Sequence, residues 1–366
     1  MNGGHSVRLL ICAGGTGGGV YPALAVHSAL SAKVSDLDTL WVGGEGGMEE
    51  ALVKRQGITF QSIPAAGVHG VGLVTLPRNL AMVGRGVFAA RRILNEFKPD
   101  VLFFTGGYVA VPVALAGRSI PSMLYVPDIE PGMALKSLAG FSDVITVTTA
   151  ESQKFFNKKV YEMGYPLRAD LAVWDRSTAH RHLGISSQLP VMLIFGGSKG
   201  ARSINMAVMN NLRPLLGKFE IIHLSGELDW TMVKHERELL PMDLAARYHA
   251  MPYLHDMGAA LAAADLVLSR AGASSLGEFP LFGLPAILVP YPHAWRYQKV
   301  NADYLSRRGA AVMLEDHLLE TDLMSTLNVL LENPNKLKAM RAAMFELSHP
   351  RAAEKIASAL IELAGE

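Results

Sequence analysis

Cysteine is nearly absent: the 366 residues contain one, Cys12. An intramolecular disulfide is therefore excluded. A lone cysteine in an apolar stretch reads as a small core residue, in keeping with a reducing cytoplasm. An excess of one charge is also missing. Lys and Arg number 34 against 33 Asp and Glu, a net charge of +1, which gives no electrostatic case for a nucleic-acid partner. Charged residues make up only 18% of the chain and hydrophobic ones 50%, which excludes a disordered chain. No uninterrupted apolar run approaches the ~20 residues of a membrane span. The run after Arg8 meets glycine too soon for a secretory signal. No paired-carboxylate or His/Cys ligand set stands at a strand end, so neither a metal nor a cofactor is expected. Asp36 and Asp38 in "SDLDTL" formally spell a metal-binding D-x-D, but they precede a strand and read as a solvated turn at the amino edge of a sheet.

Glycine, by contrast, is concentrated. "VRLLICAGGTGGGVYPALAV" sets five glycines and Thr16 between an apolar run and residues at helical spacing, Val20, Leu24, Val26 and Leu30. Pro22 fits a first helical turn. Strand, glycine loop and helix together point backbone N–H groups and a helix dipole at an anion. Two common phosphate motifs are missing. A G-x-G-x-x-G fingerprint would need glycine at Val20 or Pro22, and no Gly-Lys-Ser/Thr follows. NAD and ATP chemistry are disfavoured.

The plan recurs at "PVMLIFGGSKGARSINMAVMNNL": an apolar run, Gly196-Gly197-Ser198-Lys199-Gly200, then a helix. "DTLWVGG", "DVLFFTGG", "SMLYVPD" and "DVITVTT" lie between the two loops, and "FEIIHLSG", "ADLVLSRAG" and "PAILVPYP" follow the second. Strands alternating with helices in both halves predict an α/β protein of two Rossmann-like domains with parallel sheets. Ligands bind at the carboxyl ends of such strands, so the two loops are expected to meet at one cleft. Strand patterning lapses between Gly164 and Leu189. The expected domains are residues 1–165, residues 166–345, and a terminal amphipathic helix, 346–366, that could pack on either.

Taken together, "GGTGGGVYPALAV", "KPDVLFFTGGYVAVP", "GYPLR", "GGSKGARSIN", "SRAGASSLGE" and "YQKVNA" resemble, in the same order over nearly the whole chain, the MurG family of bacterial peptidoglycan glycosyltransferases. The resemblance implies the two-domain GT-B fold and inverting, metal-independent transfer of N-acetylglucosamine. The donor would be UDP-N-acetylglucosamine. The acceptor would be the polyprenyl-linked undecaprenyl-pyrophosphoryl-muramyl-pentapeptide, lipid I, and the product lipid II. It also implies an amino-terminal acceptor side and a carboxyl-terminal donor side. Thr16, Gly17 and Gly18 fall where the family meets donor and acceptor pyrophosphate, and Arg168 and Ser198 match donor-contact positions. Leu254 matches an apolar residue whose backbone meets uracil. Ala273, Ser274, Ser275, Leu276, Gly277 and Glu278 match the donor-binding segment, and Gln298 a glutamine on the transferred sugar. Read from the residues alone, Glu278 either accepts both ribose hydroxyls or closes a capping box with Ser275. Gln298 offers donor and acceptor to sugar hydroxyls or is a solvated helix residue. Arg168 suits phosphate oxygens, which a guanidinium binds bidentately.

The chain departs from the family at two places. Gly19 stands where a histidine is usual, so no side chain there can move a proton. Tyr125-Val126-Pro127-Asp128 replaces His-Glu-Gln-Asn. Attack by a sugar hydroxyl needs a nearby base. Asp128 is the first candidate and Glu130 the second, both otherwise an Asp-containing turn before Pro131-Gly132. His69 is the third. These changes leave two other functions open, transfer to a different acceptor and non-catalytic binding of a UDP-sugar. Leu73, Val74, Leu76, Leu80, Met82 and Val83 alternate with Arg78, Arg85, Arg91 and Arg92. Such a stretch is a core helix with solvated arginines, or, given a polyprenyl substrate, a peripheral contact with the cytoplasmic face of the membrane.

Overall fold

The first apolar run forms β1 (Ser6–Cys12). Its alternate residues go to opposite faces, as strand pleating requires. Leu10 and Cys12 enter one core layer, Leu9 and Ile11 the other. Both faces are covered, so the run is continuously apolar rather than alternating. The computed structural model describes residues 6–14, 17–47, 49–67, 72, 74–197, 199–293 and 297–365.

The chain divides into two units, Met1–Arg168 with Pro350–Glu366, and Ala169–His349. The first holds β1, β2 (Asp36–Gly44), β3 (Thr59–Ile63), β4 (Val101–Phe104), β5 (Ser122–Val126), β6 (Val144–Val147) and β7 (Tyr161–Glu162). They form one sheet in the order β3-β2-β1-β4-β5-β6-β7, every pair parallel. Helices Leu76–Phe97, Ala110–Ala116 and Met133–Ala139 bury Ala90, Leu94, Val113 and Leu138 with one face of the sheet. The helix Gly17–Ser31 lies on the other face with the terminal helix Ala352–Gly365, whose Ile356, Ala357 and Leu360 share its core layer.

The second unit holds β8 (Val191–Phe195), β9 (Glu220–Leu224), β10 (Tyr248–Met251), β11 (Leu266–Ser269), β12 (Ala286–Leu288) and β13 (Ala311–Met313). Their order is β10-β9-β8-β11-β12-β13, again all parallel. The stretch between Gly164 and Leu189 contains no strand. It holds the helix Arg176–Leu183, capped by Asp175, which accepts from Ser177 N–H (2.8 Å) and Thr178 N–H (3.0 Å). Gly184 ends that helix in the left-handed conformation, φ +69°, where glycine has no side-chain penalty.

Two local expectations are corrected. The helix after β1 begins at Gly17, so Pro22 stands inside it rather than in its first turn. Three of the five glycines are therefore helical, not loop. Asp36 and Asp38 are the first residues of β2 rather than a turn; they remain exposed at the amino edge, Asp38 lying 3.8 Å from Arg8.

Candidate active site

In each sheet the chain reverses strand order at one place: between β1 and β4 in the first unit, between β8 and β11 in the second. At such a switch point the two following loops diverge and leave a crevice at the carboxyl edge.

In the first unit the loops after β1 and β4 come close through glycine. Gly106 and Gly107 have φ of +137° and +90°. A Cβ on Gly107 would lie 2.8 Å from the Gly14 carbonyl. Thr105 is buried and donates its hydroxyl to the Gly19 carbonyl at 2.7 Å. Gly19 does not simply leave the space a histidine would fill, because its Cβ would stand 3.2 Å from the Thr105 carbonyl. Gly17 and Gly18 are half-buried in the first helical turn. Thr16 and His69 lie outside the described residues.

The loop after β5 carries the two carboxylate candidates. Tyr125 hydroxyl is 2.7 Å from Thr148 Oγ1, Thr148 donates to the Pro127 carbonyl (2.7 Å), and Ser152 donates to that of Ile129 (2.9 Å). Burial first, and the nearby Asp128 charge as well, push the Tyr125 phenol well above its usual range against the opposing Thr148 bond. The phenol therefore stays a neutral donor or acceptor in this brace. Asp128 is half-buried. Glu130 is only 7% exposed, its carboxylate 3.9 Å from Lys136 Nζ. The fixed loop thus turns Asp128 partly outward and Glu130 inward. Arg168 belongs to this unit, its guanidinium 5.3 Å from the Tyr21 ring centroid.

Glu49 was not anticipated. It opens the helix Glu49–Arg55, is 1% exposed, and accepts the Gly44 N–H at 3.0 Å. A Cβ on Gly14 would come within 2.4 Å of its Oε1. A buried carboxylate therefore backs the first glycine loop. The glycines that make room for it in "GGEGGMEE" were the available signal.

In the second unit the loop after β8 uses true left-handed glycines, Gly197 at φ +92° and Gly200 at +77°. Ser198 lies outside the described residues, and Lys199 is exposed. On the other side of the switch point, β11 leads into a 3-10 turn, Ala273–Leu276, and the helix Glu278–Phe282. Ala273, Ser275, Leu276 and Gly277 are buried; Ser274 and Glu278 are half-buried. The Ser275 hydroxyl donates to the Gly272 carbonyl (2.6 Å), and so does its N–H (3.0 Å). The Ser275 N–H, which a capping box would give to the Glu278 carboxylate, is thus given to Gly272 instead. Leu254 is half-buried beyond β10. Gln298, on the helix Tyr297–Arg307, accepts the Tyr291 N–H at 2.8 Å through Oε1, which leaves its amide NH2 as the hydrogen-bond donor end.

Arg270, just before the Ala273–Glu278 segment, was also missed. It pairs with Asp316 and donates to Ser203 Oγ (2.8 Å) and the Val289 carbonyl (3.2 Å). Its guanidinium lies 5.3 Å from the Tyr291 ring centroid. One cation therefore ties the start of the Ala273–Glu278 segment to the end of β12 and the loop that leads to Gln298. The described residues expected at the donor site stand on carboxyl-side loops or helix starts of this sheet, except Arg168, Gly17 and Gly18, which belong to the first unit.

Two family models match the chain: the glycosyltransferase family 28 N-terminal domain over residues 9–141 and the family's C-terminal domain over residues 191–356. A relative from Roseiflexus sp. strain RS-1 is 39% identical over 96% of this chain and 94% of its own length. One from Desulforudis audaxviator strain MP104C is 37% identical over 98% of this chain and 99% of its own. Both are named UDP-N-acetylglucosamine–N-acetylmuramyl-(pentapeptide) pyrophosphoryl-undecaprenol N-acetylglucosamine transferase.

The chain belongs to glycosyltransferase family 28.

Among solved structures, Acinetobacter baumannii MurG superposes with a TM-score of 0.79 at 26% identity, covering 97% of this chain and 99% of that one. The family 28 chain is thus a glycosyltransferase with the GT-B fold, two Rossmann-like parallel-sheet domains. Its amino-terminal family domain contains both departures, Gly19 and Tyr125–Asp128, and its carboxyl-terminal domain the segment Ala273–Glu278.

Proposed function

We propose that this glycosyltransferase moves N-acetylglucosamine from UDP-N-acetylglucosamine to undecaprenyl-pyrophosphoryl-N-acetylmuramyl-pentapeptide, lipid I, and so makes lipid II for peptidoglycan. The observation that carries the reading is likeness over almost the whole length to transferases of that name, with a matching donor segment beside the β8–β11 switch point. In this reading Glu278 accepts the ribose hydroxyls, Leu254 backbone meets uracil and Gln298 holds the sugar. Ser198, Gly197, Gly200 and Arg168 serve the diphosphate, and Thr16, Gly17 and Gly18 serve the pyrophosphate on the acceptor side.

The reaction is a single displacement. The acceptor hydroxyl oxygen forms a bond to the anomeric carbon as the bond to UDP breaks, and the electron pair leaves with the diphosphate. Attack from the face opposite the leaving group inverts that carbon. Asp128 takes the hydroxyl proton; its partial exposure favours it over the interior Glu130. The leaving charge is met by N–H groups of the glycine loop rather than by a metal. Among the described residues, no three His, Cys, Asp or Glu side chains converge as a cation site.

The lipid acceptor places the protein at the cytoplasmic face of the membrane. None of the described helices is long and apolar enough to cross it. On the helix Leu76–Phe97, Leu80 and Phe88 are 53% and 74% exposed, among exposed Arg78, Arg85, Arg91 and Arg92. Apolar side chains set among basic ones suit an anionic lipid surface; Leu73 lies outside the described residues.

Incubation with UDP-N-acetylglucosamine and a lipid I analogue, with product mass measured, tests the reading. A disaccharide product is expected, and it should form equally with EDTA present. Donor hydrolysis or no product, with UDP still bound, would favour another acceptor. The close contact of Gly19 with Thr105 motivates that second reading.

A further inference from the structure

His223 is the last but one residue of β9, fully buried, and the proposed reaction does not use it. Its Nδ1 is 2.7 Å from the Tyr248 hydroxyl on β10, and its Nε2 is 3.0 Å from Asn205 Oδ1 on the helix Arg202–Asn210. Asn205 in turn donates its amide nitrogen to the Ser225 carbonyl (2.9 Å) and to Asp229 Oδ2 (2.8 Å). A carbonyl and a carboxylate only accept, so that end of the amide is the NH2 and the end facing His223 is the oxygen. That oxygen cannot donate. His223 therefore carries its proton on Nε2, and its bare Nδ1 accepts a hydrogen bond from the Tyr248 hydroxyl. The bonds run one way, from Tyr248 through His223 and Asn205 to Ser225 and Asp229. Arg202 closes the far end, 2.9 Å from Asp229 Oδ1.

The chain ends on the glycine loop. A Cβ on Gly200 would lie 2.1 Å from the Ser225 carbonyl oxygen, and one on Gly226 would lie 2.6 Å from Gly200 Cα and the Lys199 carbonyl. Gly200 and Gly226 have φ of +77° and +78°. The last turn of the loop thus rests on backbone whose carbonyl Asn205 holds.

We infer that His223, as its Nε2–H tautomer, is a positioning residue for the donor diphosphate. It fixes the Asn205 amide, Asn205 fixes Ser225–Gly226, and that turn supports Gly200 and aims the loop's N–H groups. Burial pushes the imidazole down to about 4, so the ring stays neutral near pH 7 and the direction of the chain is kept. The inference rests on the proposed binding of a nucleoside diphosphate at this loop.

Calorimetry with UDP and the full chain separates the two ideas. Failure of the unaltered protein to bind UDP removes the proposed function itself. Where it binds, His223→Phe should weaken UDP roughly tenfold, the scale of leaving a buried polar partner unsatisfied. The KM for the donor should rise in parallel, with the acceptor KM unchanged. His223→Gln, whose amide can still donate to Asn205, should recover most of the affinity. Unchanged UDP affinity in His223→Phe, or equal losses in both variants, would overturn the inference. A second measurement needs no variant. Nitrogen-15 spectra of the unaltered protein should show the Nε2–H tautomer and a shift of the His223 ring on saturation with UDP. An Nδ1–H tautomer, or a ring indifferent to UDP, would equally overturn it.

Discussion

The two glycine loops look alike in sequence and are built for different tasks. In the first, Gly17 to Gly19 already belong to a helix, Gly19 is pressed against Thr105, and a buried carboxylate, Glu49, backs Gly14. In the second, Gly197 and Gly200 take left-handed backbone, and a buried hydrogen-bonded network through Asn205 and His223 lies beneath the loop. Glycine in the first loop chiefly allows close approach of elements; in the second it supplies conformations that an L side chain resists. A count of glycines cannot separate these uses, because both follow from the missing Cβ.

The largest expected effect tests the acceptor side of the comparison. Asp128→Asn removes basicity but keeps shape, and should lower kcat ~10²–10⁴-fold with donor KM little changed. Glu130→Gln should change kcat far less, since its carboxylate faces Lys136 in the interior. Near-normal kcat in both single variants and in the double variant would remove the carboxylate base from consideration. Gly19→His would then be the variant to assay.

The loops themselves are compared by one substitution in each. Gly200→Ala forces an L residue into left-handed backbone, about 1–2 kcal/mol of strain, and drives its Cβ onto the Ser225 carbonyl. Donor binding and thermal stability should both fall. Gly19→Ala sits in helical backbone and gains helix propensity of up to about 1 kcal/mol, against a tight contact with Thr105. Its melting temperature should move little. Equal damage from the two would show that the loops do not differ as argued.

On the donor side, Glu278→Ala should lose about 1.5–3 kcal/mol of UDP binding, the range for a hydrogen bond to a charged group. A drop in melting temperature with UDP affinity unchanged would return Glu278 to a helix-capping role.

The smallest effect concerns pH. His223 is neutral in the folded protein down to about 4, whereas an unfolded histidine takes up a proton near 6.5. The unfolded state therefore binds more protons below about pH 6.5, and stability must fall with pH from there down to about 4. His223→Gln should show a shallower fall in melting temperature over that window. Identical slopes would mean that the ring is not held neutral by the Tyr248–Asn205 enclosure.

Hydrophobic patterning alone determined the α/β class, the two parallel sheets and the positions of the inner strands, β1, β2, β4, β5, β6, β8, β9, β11 and β12. Strands covered on both faces must be apolar throughout, and that reads directly from sequence. The edge strands β3, β7, β10 and β13 were not legible. β3 and β7 are largely exposed and β10 and β13 only partly buried, so none carries a continuous apolar run. The segment Ala273–Glu278 was visible as a motif, while the commitment of the Ser275 N–H to the Gly272 carbonyl, which bears on whether Glu278 caps the helix, came from the tertiary structure. Arg270 and the Tyr248–His223–Asn205 chain were decided by tertiary structure alone. Their partners lie on separate elements, and a hydrogen bond between side chains distant in sequence leaves no period or spacing in the chain from which to read it.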